Sequence, residues 1–308
     1  MPSERRNWFR LVLQLQGSVI PSILPRTVFC GTFGFLVSIL YNYDLVKAEP
    51  IFGSIIPSIV LGLLLVFRTN TAYERFWEGR KCWGGITNTC RNLARYIWVG
   101  ITERESQDRL DKIATLKLLV AFAVATKLHL RREVINAELE GLMAPAKYQK
   151  LKGIHNPPLE VAFWIGDYLQ RQYYRGCVNS YQSTAMHQHL DMLVDNLGGC
   201  ERILKTPMPL AYAIHLKQLL LLYSFLLPFQ MVHELGWWTG VVTALVSFTL
   251  FGIEEIGIEI ENPFGHDYND LPLDAICDTM LRNIEDLISL TPTSHNYVEK
   301  LQSSGEEI

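Results

Sequence analysis

The stretch that most constrains this chain runs from Pro50 to about Tyr96. It begins with eighteen residues that carry no charge, PIFGSIIPSIVLGLLLVF, and continues without a linker into RTNTAYERFWEGRKCWGGITNTCRNLARY, which is rich in arginine and aromatic residues. A helix needs about 20 apolar residues to cross a bilayer. An apolar run that passes directly into a basic, aromatic helix is unlike a soluble core helix or a simple anchor. The stretch therefore predicts a pore-lining helix that leaves the bilayer and forms the wall of a cytosolic vestibule.

Four windows of the chain lack charged residues and approach the length of a membrane span. Only 19% of the residues are charged, and the mean hydropathy is +0.12, which leaves room for a sizeable polar part beside the spans. Short gaps separate the first window from the second and the third from the fourth, so each pair suits a helical hairpin. The windows are residues 27–43, 50–67, 218–233 and 235–253.

Lysine and arginine near the spans predict the orientation, because positive charges collect in cytoplasmic loops. Four arginines precede the first window, and six basic residues follow the second, whereas the short loops inside the two hairpins carry a single lysine. Both termini and the long middle are therefore expected on the cytoplasmic side. With no signal or transit peptide expected, the chain suits a bacterial plasma membrane, or a cyanobacterial or plastid thylakoid membrane.

The long middle of the chain is expected to be helical, since no stretch shows sustained alternation with a period of two. Residues 110–132 repeat apolar side chains at intervals of three and four, which predicts an amphipathic helix. Residues 141–158 are expected to form a loop, and two further helices are expected, the second interrupted near Gly198 and Gly199. The fold class is therefore all-α, a single unit of 308 residues. Its expected parts are an N-terminal cytosolic segment (1–26), two spans (27–67), a cytosolic helical region (68–217), two spans (218–253) and a cytosolic C-terminal region (254–308).

Two stripes lie on different faces of the second window, about 140° apart at 100° per residue. The first stripe has the small-residue spacing that lets membrane helices approach closely, and the second is apolar. These stripes are Ser54, Ser58 and Gly62, and Ile59, Leu63 and Phe67.

The apolar stripe is interpreted as the neck of a pore, with lipid contact as the alternative for such a stripe. If several copies surround one axis, Ile59, Leu63 and Phe67 stack as apolar rings. Such a neck gates by dewetting and passes large, weakly hydrated anions more easily than cations. Aromatic edges are electropositive, so Phe67 favours an anion without holding it tightly. The basic residues that follow, among them Arg68, Arg75 and Arg80, are expected to raise the local anion concentration or simply to mark the cytoplasmic side.

Four blocks in this order resemble the bestrophin family of anion channels, in its prokaryotic and plant branch, and the resemblance covers nearly the whole chain. They are GSV at 17–19, FRTNTAYERFWEGRKCWG at 67–84, GGCERILKTPMPLAY at 198–212, and ENPFG…NDLPLD at 261–274. The resemblance implies a homopentamer of all-helical protomers around one axial pore, with four transmembrane helices and a large cytosolic domain. It also places the neck at Ile59, Leu63 and Phe67.

The resemblance implies two further features at which this sequence departs from the family pattern. A second, cytosolic aperture falls near Tyr181, where the family usually has a small aliphatic residue. The acidic calcium-binding run of animal bestrophins reads GHDYND here, and Asp267 and Asp270 are its remaining carboxylates. Because calcium takes six to eight oxygen ligands, these two residues are weak candidates. Asp270 or Asn269 is expected instead to cap the next helix, and no calcium dependence is expected.

The expected function is passive flow of chloride and other monovalent anions, with bicarbonate and nitrate as further candidates. A coupled anion transporter is the nearer alternative, but the windows contain no internal charge and no repeat. A membrane redox protein is the more distant one, because His215 and His233 lie about 27 Å apart along a helix. No catalytic motif occurs, so no enzyme is predicted and no cofactor is expected. The net charge of −3 and the lack of a basic tail exclude nucleic acid as a partner; the expected partners are other copies, the lipid bilayer and small inorganic anions.

Overall fold

The computed structural model describes residue 8 and residues 12–47 and 55–292, and the regular structure among these residues is helical throughout. Residues 48–54, among them Ser54, and the tail 293–308 lie outside the described residues. The helices are α1 (Ile20–Asn42), α2 (Ile55–Gly100), α3 (Ser106–Arg131), α4 (Ala137–Glu140), α5 (Pro145–Leu151), α6 (Pro157–Tyr174), α7 (Ser180–Lys205), α8 (Leu210–Leu235), α9 (Trp238–Glu259) and α10 (Leu273–Ser289).

The chain divides into two compact units. The first unit consists of Met1–Trp77 and Thr206–Asp270, and the second of Glu78–Lys205 and Leu271–Ile308. The 46-residue helix α2 contributes Ile55–Trp77 to the first unit and Glu78–Gly100 to the second. The change of character predicted within 50–96 comes earlier, after Phe67, so the first basic and aromatic residues of α2 still belong to the first unit.

The first unit packs α1, α8, α9 and the beginning of α2 together, with a core drawn from all four helices. Glycines bring α1 and α9 close together: a Cβ on Gly34 would lie 2.9 Å from the Cα of Gly240, and one on Gly31 would lie 2.9 Å from the Cβ of Ala244. Small residues at a helix interface allow this approach in membranes, where burial of apolar surface does not drive association. The core residues are Ile23, Cys30, Leu61, Leu65, Leu216, Leu220 and Phe251.

Helix α3 is the centre of the second unit. The sequence predicts one apolar stripe over 110–132, but apolar residues are buried on every side of α3, from Leu116 to Leu130. The expectation of an amphipathic helix is therefore wrong, because α3 is surrounded by α6, α7 and α10 and has no broad solvent face. Five helices of the described part of the chain are long and apolar enough to cross a membrane, and α3 is one of them. In α3, however, 78% of the apolar window is buried within the chain, against 22–39% in the other four helices.

Two local predictions for the second unit are wrong. Helix α7 runs without a break through Gly198 and Gly199. Glycine costs a helix about 1 kcal/mol, but a Cβ at Gly199 would lie only 2.8 Å from the Sγ atom of Cys82, so the close packing of α2 and α7 requires it. Within the expected loop 141–158, residues Pro145–Leu151 form the short helix α5.

The start of α3 depends on one buried carboxylate. Asp108 Oδ2 accepts hydrogen bonds from the backbone N–H groups of Arg104 (2.8 Å) and Glu105 (3.0 Å), and Oδ1 accepts from Arg175 Nη1 (2.6 Å). The guanidinium of Arg175 and these backbone donors lower the pKa of Asp108 from 3.8 to about 2. This charge therefore stabilises the folded state above pH 4, and its contribution is lost as the pH falls from about 4 toward 2.

We expect Asp108→Asn to lower the free energy of unfolding by about 2 kcal/mol at pH 7, because one oxygen becomes an NH₂ group that cannot accept these hydrogen bonds. The melting temperature of the purified protein measures the loss, and the gap between variant and wild type should narrow as the pH falls from 4 toward 2. Asp191→Asn, at an exposed aspartate of α7, is the control and should change stability by less than about 0.5 kcal/mol. Equal effects of the two substitutions would contradict the role assigned to Asp108.

Candidate functional site

The first part of α2 has one face that packs inside its own unit. Leu61, Leu65 and Ala72 are buried, and at 100° per residue they fall within an arc of about 40°. On this side the Tyr212 hydroxyl of α8 also donates a hydrogen bond to the Leu64 carbonyl, at 2.7 Å. Neither predicted stripe forms this face, so the stripe that fixes α2 to its own chain was missed. Its spacing of four and seven could have revealed it in the sequence.

The predicted neck residues lie on the opposite face of α2. Ile59 and Leu63 are each 52% exposed and Phe67 is 61% exposed, and their stripe is centred about 180° from the buried one. Ile56, Val60 and Val66 are also exposed, so the uncovered apolar face is broad. A face of this kind must be covered by lipid or by other molecules.

Of the predicted packing stripe, the structure describes Ser58 and Gly62, and Gly62 makes no close helix contact within its own chain. A Cβ added to Gly62 would meet nothing within 4 Å. The Ser58 hydroxyl shares a hydrogen bond of 3.0 Å with that of Tyr223 on α8, and Ser58 itself is exposed. Ser54 lies outside the described residues. The close approach expected here occurs instead between α1 and α9, while packing of Gly62 against another copy stays a prediction.

The expectation that Arg68 attracts anions requires correction, whereas the same expectation for Arg75 stays a prediction. Arg68 is only 4% exposed, and its Nη2 atom donates to Glu261 Oε2 at 2.7 Å. Glu261 Oε1 accepts from the Met208 backbone N–H at 2.8 Å, and Arg75 donates to the carbonyl oxygens of Glu261 (3.3 Å) and Thr206. Burial tends to raise the pKa of Glu261, but these donors outweigh it and lower the pKa. The positive charge of Arg68 is therefore neutralised by a carboxylate 193 residues away in sequence.

The other predicted positions of the second unit are solvent-facing. Arg80 is exposed on α2. Tyr181 is 87% exposed in the first turn of α7, which is fixed by reciprocal hydrogen bonds between Asn179 and Gln182 at 3.0 and 2.8 Å. Its position at a rigid helix start is compatible with an aperture, and that role stays a prediction.

Asp267 and Asp270 form a turn. Asp270 Oδ2 accepts a hydrogen bond from the Asp267 backbone N–H at 2.8 Å. Among the described residues, no group of three or more His, Cys, Asp or Glu side chains is placed to hold a metal ion. The N-cap residue of α10 is Pro272, so the expectation that Asn269 or Asp270 caps this helix is wrong. The reason is that the Asp270 carboxylate binds its own turn.

A charged cluster of the first unit was missed by sequence reasoning. Glu254, near the end of α9, is almost fully buried and accepts a hydrogen bond from Lys217 of α8 at 2.8 Å. Arg26 of α1 lies 3.1 Å from Glu255 and 3.9 Å from Glu254. The windows end just short of these residues, so three helices that read as separate apolar runs are in fact joined by charges. Such pairing is the usual form in which charges occur beside a membrane span.

Comparison with known proteins decides the family. The sequence model described as Bacterial/Fungal Bestrophin protein matches residues 1–286. The chain belongs to the bacterial and fungal bestrophin family. Two similar relatives are named as voltage-dependent anion channel-forming proteins. The one from Nostoc sp. is 66% identical over 96% of this chain and 97% of the relative. The one from Synechocystis sp. is 59% identical over 93% of this chain and 94% of the relative. The crystal structure of a bacterial bestrophin homolog from Klebsiella pneumoniae has a TM-score of 0.77, with 28% identity over 89% of this chain and all of that one. This bestrophin is therefore an integral membrane protein, not an enzyme.

We expect Arg68→Met to lower the free energy of unfolding by about 2 kcal/mol, because it leaves the Glu261 carboxylate half-buried without its counter-charge. In a double-mutant cycle with Glu261→Gln, the two losses should be coupled by at least 1 kcal/mol. Arg171→Met breaks the exposed pair with Asp167 and serves as the control, with a loss below about 0.5 kcal/mol. Melting temperatures of the four proteins of the cycle give the coupling, and additive losses would contradict the pairing.

Proposed function

We propose that this bestrophin is a passive, anion-selective channel whose neck is formed by Ile59, Leu63 and Phe67. The observation that carries the proposal is that α2 packs its Leu61–Leu65 face inside the chain and leaves the neck stripe uncovered on the other side. Relatives from Nostoc and Synechocystis that are named as anion channel-forming proteins support the same function.

The channel is proposed to be a homopentamer with one axial pore, in which each copy contributes α2 to the wall. Within its described residues, a single chain offers four sparsely buried apolar helices, α1, α8, α9 and the beginning of α2, and these cannot enclose a pore alone. Helix α3 is not proposed as a span, because 78% of its apolar window is already buried against other parts of its own chain. An even number of spans keeps both termini on the cytoplasmic side. The membrane is proposed to be a bacterial plasma membrane or a thylakoid membrane.

The neck passes anions because its side chains offer no fixed charge. Apolar rings exclude strongly hydrated ions and permit dewetting, so chloride and other weakly hydrated monovalent anions cross most easily. The edges of the Phe67 rings add a weak electropositive lining. Arg68 contributes no free charge to this neck, because Glu261 neutralises it.

A coupled anion transporter is the second candidate, favoured by the cluster of Arg26, Lys217 and Glu254 beside the spans. The two candidates differ in what sets the reversal potential, the voltage at which the net current is zero. A passive channel reverses at the equilibrium potential of its permeant anion, whereas a coupled transporter reverses at a potential that also depends on a second ion.

We expect Leu63→Ala and Phe67→Ala to widen the neck and to raise the single-channel conductance at least twofold or abolish gating. The measurement is a planar bilayer recording of the purified protein under a chloride gradient, in which wild type and variants should reverse close to the chloride equilibrium potential. Leu245→Ala removes a leucine of α9 that is at least as exposed as the two neck residues and is the control, with wild-type currents expected. Unchanged currents in both neck variants would refute the neck assignment, and a reversal potential set by a second ion would favour the transporter.

We also expect currents to be independent of calcium, since Asp267 and Asp270 bring too few oxygens together for the six to eight that calcium takes. Open probability in the same bilayers should stay within the wild-type scatter when calcium is raised from a chelated level to about 1 mM, the range of weak calcium sites. A calcium-dependent change that disappears in Asp267→Asn would contradict this expectation.

A further inference from the structure

A surface cavity of the second unit lies between α2 and α10, away from the neck residues. Its volume is about 500 Å³, within the range of small-molecule sites. Its lining combines two arginines, an asparagine and two threonines with only two apolar side chains. The lining residues are Arg80, Gly84, Thr87, Asn88, Arg91, Ala275, Ile276 and Thr279.

The charge of this cavity is uncompensated. In the described part of the chain, neither Arg80 nor Arg91 has an ion-pair or hydrogen-bond partner, and no acidic side chain lines the cavity. By contrast, Arg68 and Arg175 are held by carboxylates at 2.7 and 2.6 Å. The amide of Asn88 is likewise exposed and unpartnered among the described residues. Two free guanidinium groups beside a free amide form a donor set suited to an oxyanion.

Helix α10 adds to the positive potential of the cavity. Ala275 and Ile276 lie in its first turn, where the backbone N–H groups and the helix dipole favour negative charge. Thr279 Oγ1 also accepts a hydrogen bond from Arg282 at 3.1 Å, which brings a third guanidinium to the rim. Of the nearby acids, Asp274 is paired with Lys127 and Arg131, and Asp278 is exposed but outside the lining.

The size of the cavity selects the kind of anion. Arg80 and Arg91 are separated by about 16 Å along α2 at 1.5 Å per residue, so a single chloride cannot contact both side chains well. An anion with several oxygens can bridge them, and guanidinium groups bind such oxygens in pairs. Ala275 and Ile276 are the apolar side chains of the lining, which is too little apolar surface for a long acyl chain and favours a soluble ligand over a lipid headgroup.

We infer that the cavity between α2 and α10 is a binding site for a soluble, multivalent oxyanion of the polyphosphate class. The site goes beyond the proposed channel function, because it uses neither the neck nor the membrane-spanning beginning of α2. Arg80 and Arg91 bind the charged oxygens from the two ends of the cavity. Asn88 provides a neutral donor between them, and the dipole of α10 adds positive potential at its first turn.

The test is titration calorimetry of the full-length protein in detergent with inorganic pyrophosphate, at constant ionic strength set by sodium chloride. Wild type should bind, and Arg80→Gln and Arg91→Gln should each weaken binding at least tenfold, because each removes a charge-assisted donor. Arg95→Gln is the matched control: it removes an exposed arginine from the same helix, outside the cavity, and should bind as wild type does. Melting temperatures without ligand show whether each variant is folded.

Three results would overturn the inference. The first is no binding of pyrophosphate to wild type. The second is equal affinity of wild type and of the folded Arg80→Gln and Arg91→Gln variants. The third is an equal loss of affinity in Arg95→Gln, which would indicate attraction by overall charge. Repeating the titration with sodium chloride alone should give no saturable heat, and saturation by chloride would also count against a site for multivalent anions. Binding is measured without currents, so its failure leaves the neck proposal untouched, and unchanged currents in Leu63→Ala leave this site untouched.

Discussion

The ion pair between Arg68 and Glu261 fixes the place where the apolar part of α2 ends. Glu261 follows α9 and accepts from both the Arg68 side chain and the backbone of Met208, which precedes α8. One carboxylate therefore ties α2 to the chain segments beside two other membrane helices. Gly257 allows this approach, since a Cβ there would meet the Arg68 side chain at 3.2 Å. Because Arg68 is buried and Glu261 is partly buried, loss of either partner leaves a charge whose desolvation is not compensated.

With α2 held in this way, one of its faces is buried in the chain and the other is exposed. The Leu61–Leu65 face packs against α1, α8 and α9, while the Ile59–Phe67 face projects outward with no cover from its own chain. The outward face is the one that can meet a shared axis, and it is free of charge because its first arginine is turned inward to Glu261. An apolar neck and a neutralised arginine are therefore two consequences of one arrangement.

In the second unit, buried lysines are also paired with polar groups, and other charged side chains lie on its surface. Lys112 and Lys127 are fully buried in α3, yet Lys112 donates to the Ile101 carbonyl (2.7 Å) and to Glu103 (2.8 Å), and Lys127 contacts Glu138 and Asp274. These pairs let a helix as apolar as a membrane span serve as the core of a soluble-type bundle. Arg80 and Arg91, by contrast, lie on the surface without a carboxylate partner among the described residues, where they can meet anions.

Sequence periodicity and charge by themselves determined the all-helical fold, the four apolar windows and the apolar stripe at Ile59, Leu63 and Phe67. These features are local, because a run of side chains at a spacing of three or four fixes both a helix and its apolar face. Even the continuity of α2 from apolar to basic residues was readable in this way.

Only the tertiary structure decided which charged side chains are unpaired and at which glycines two helices come into close contact. Arg68 reads as a free cation until Glu261, 193 residues away, is placed beside it. Gly199 reads as a helix break until Cys82 is found against it, and Gly62 reads as a packing site although Gly34 and Gly240 make the close approach. Helix α3 reads as amphipathic until its neighbours cover every side. In each case the partner is distant in sequence, and no local pattern encodes the pairing of residues that only folding brings together.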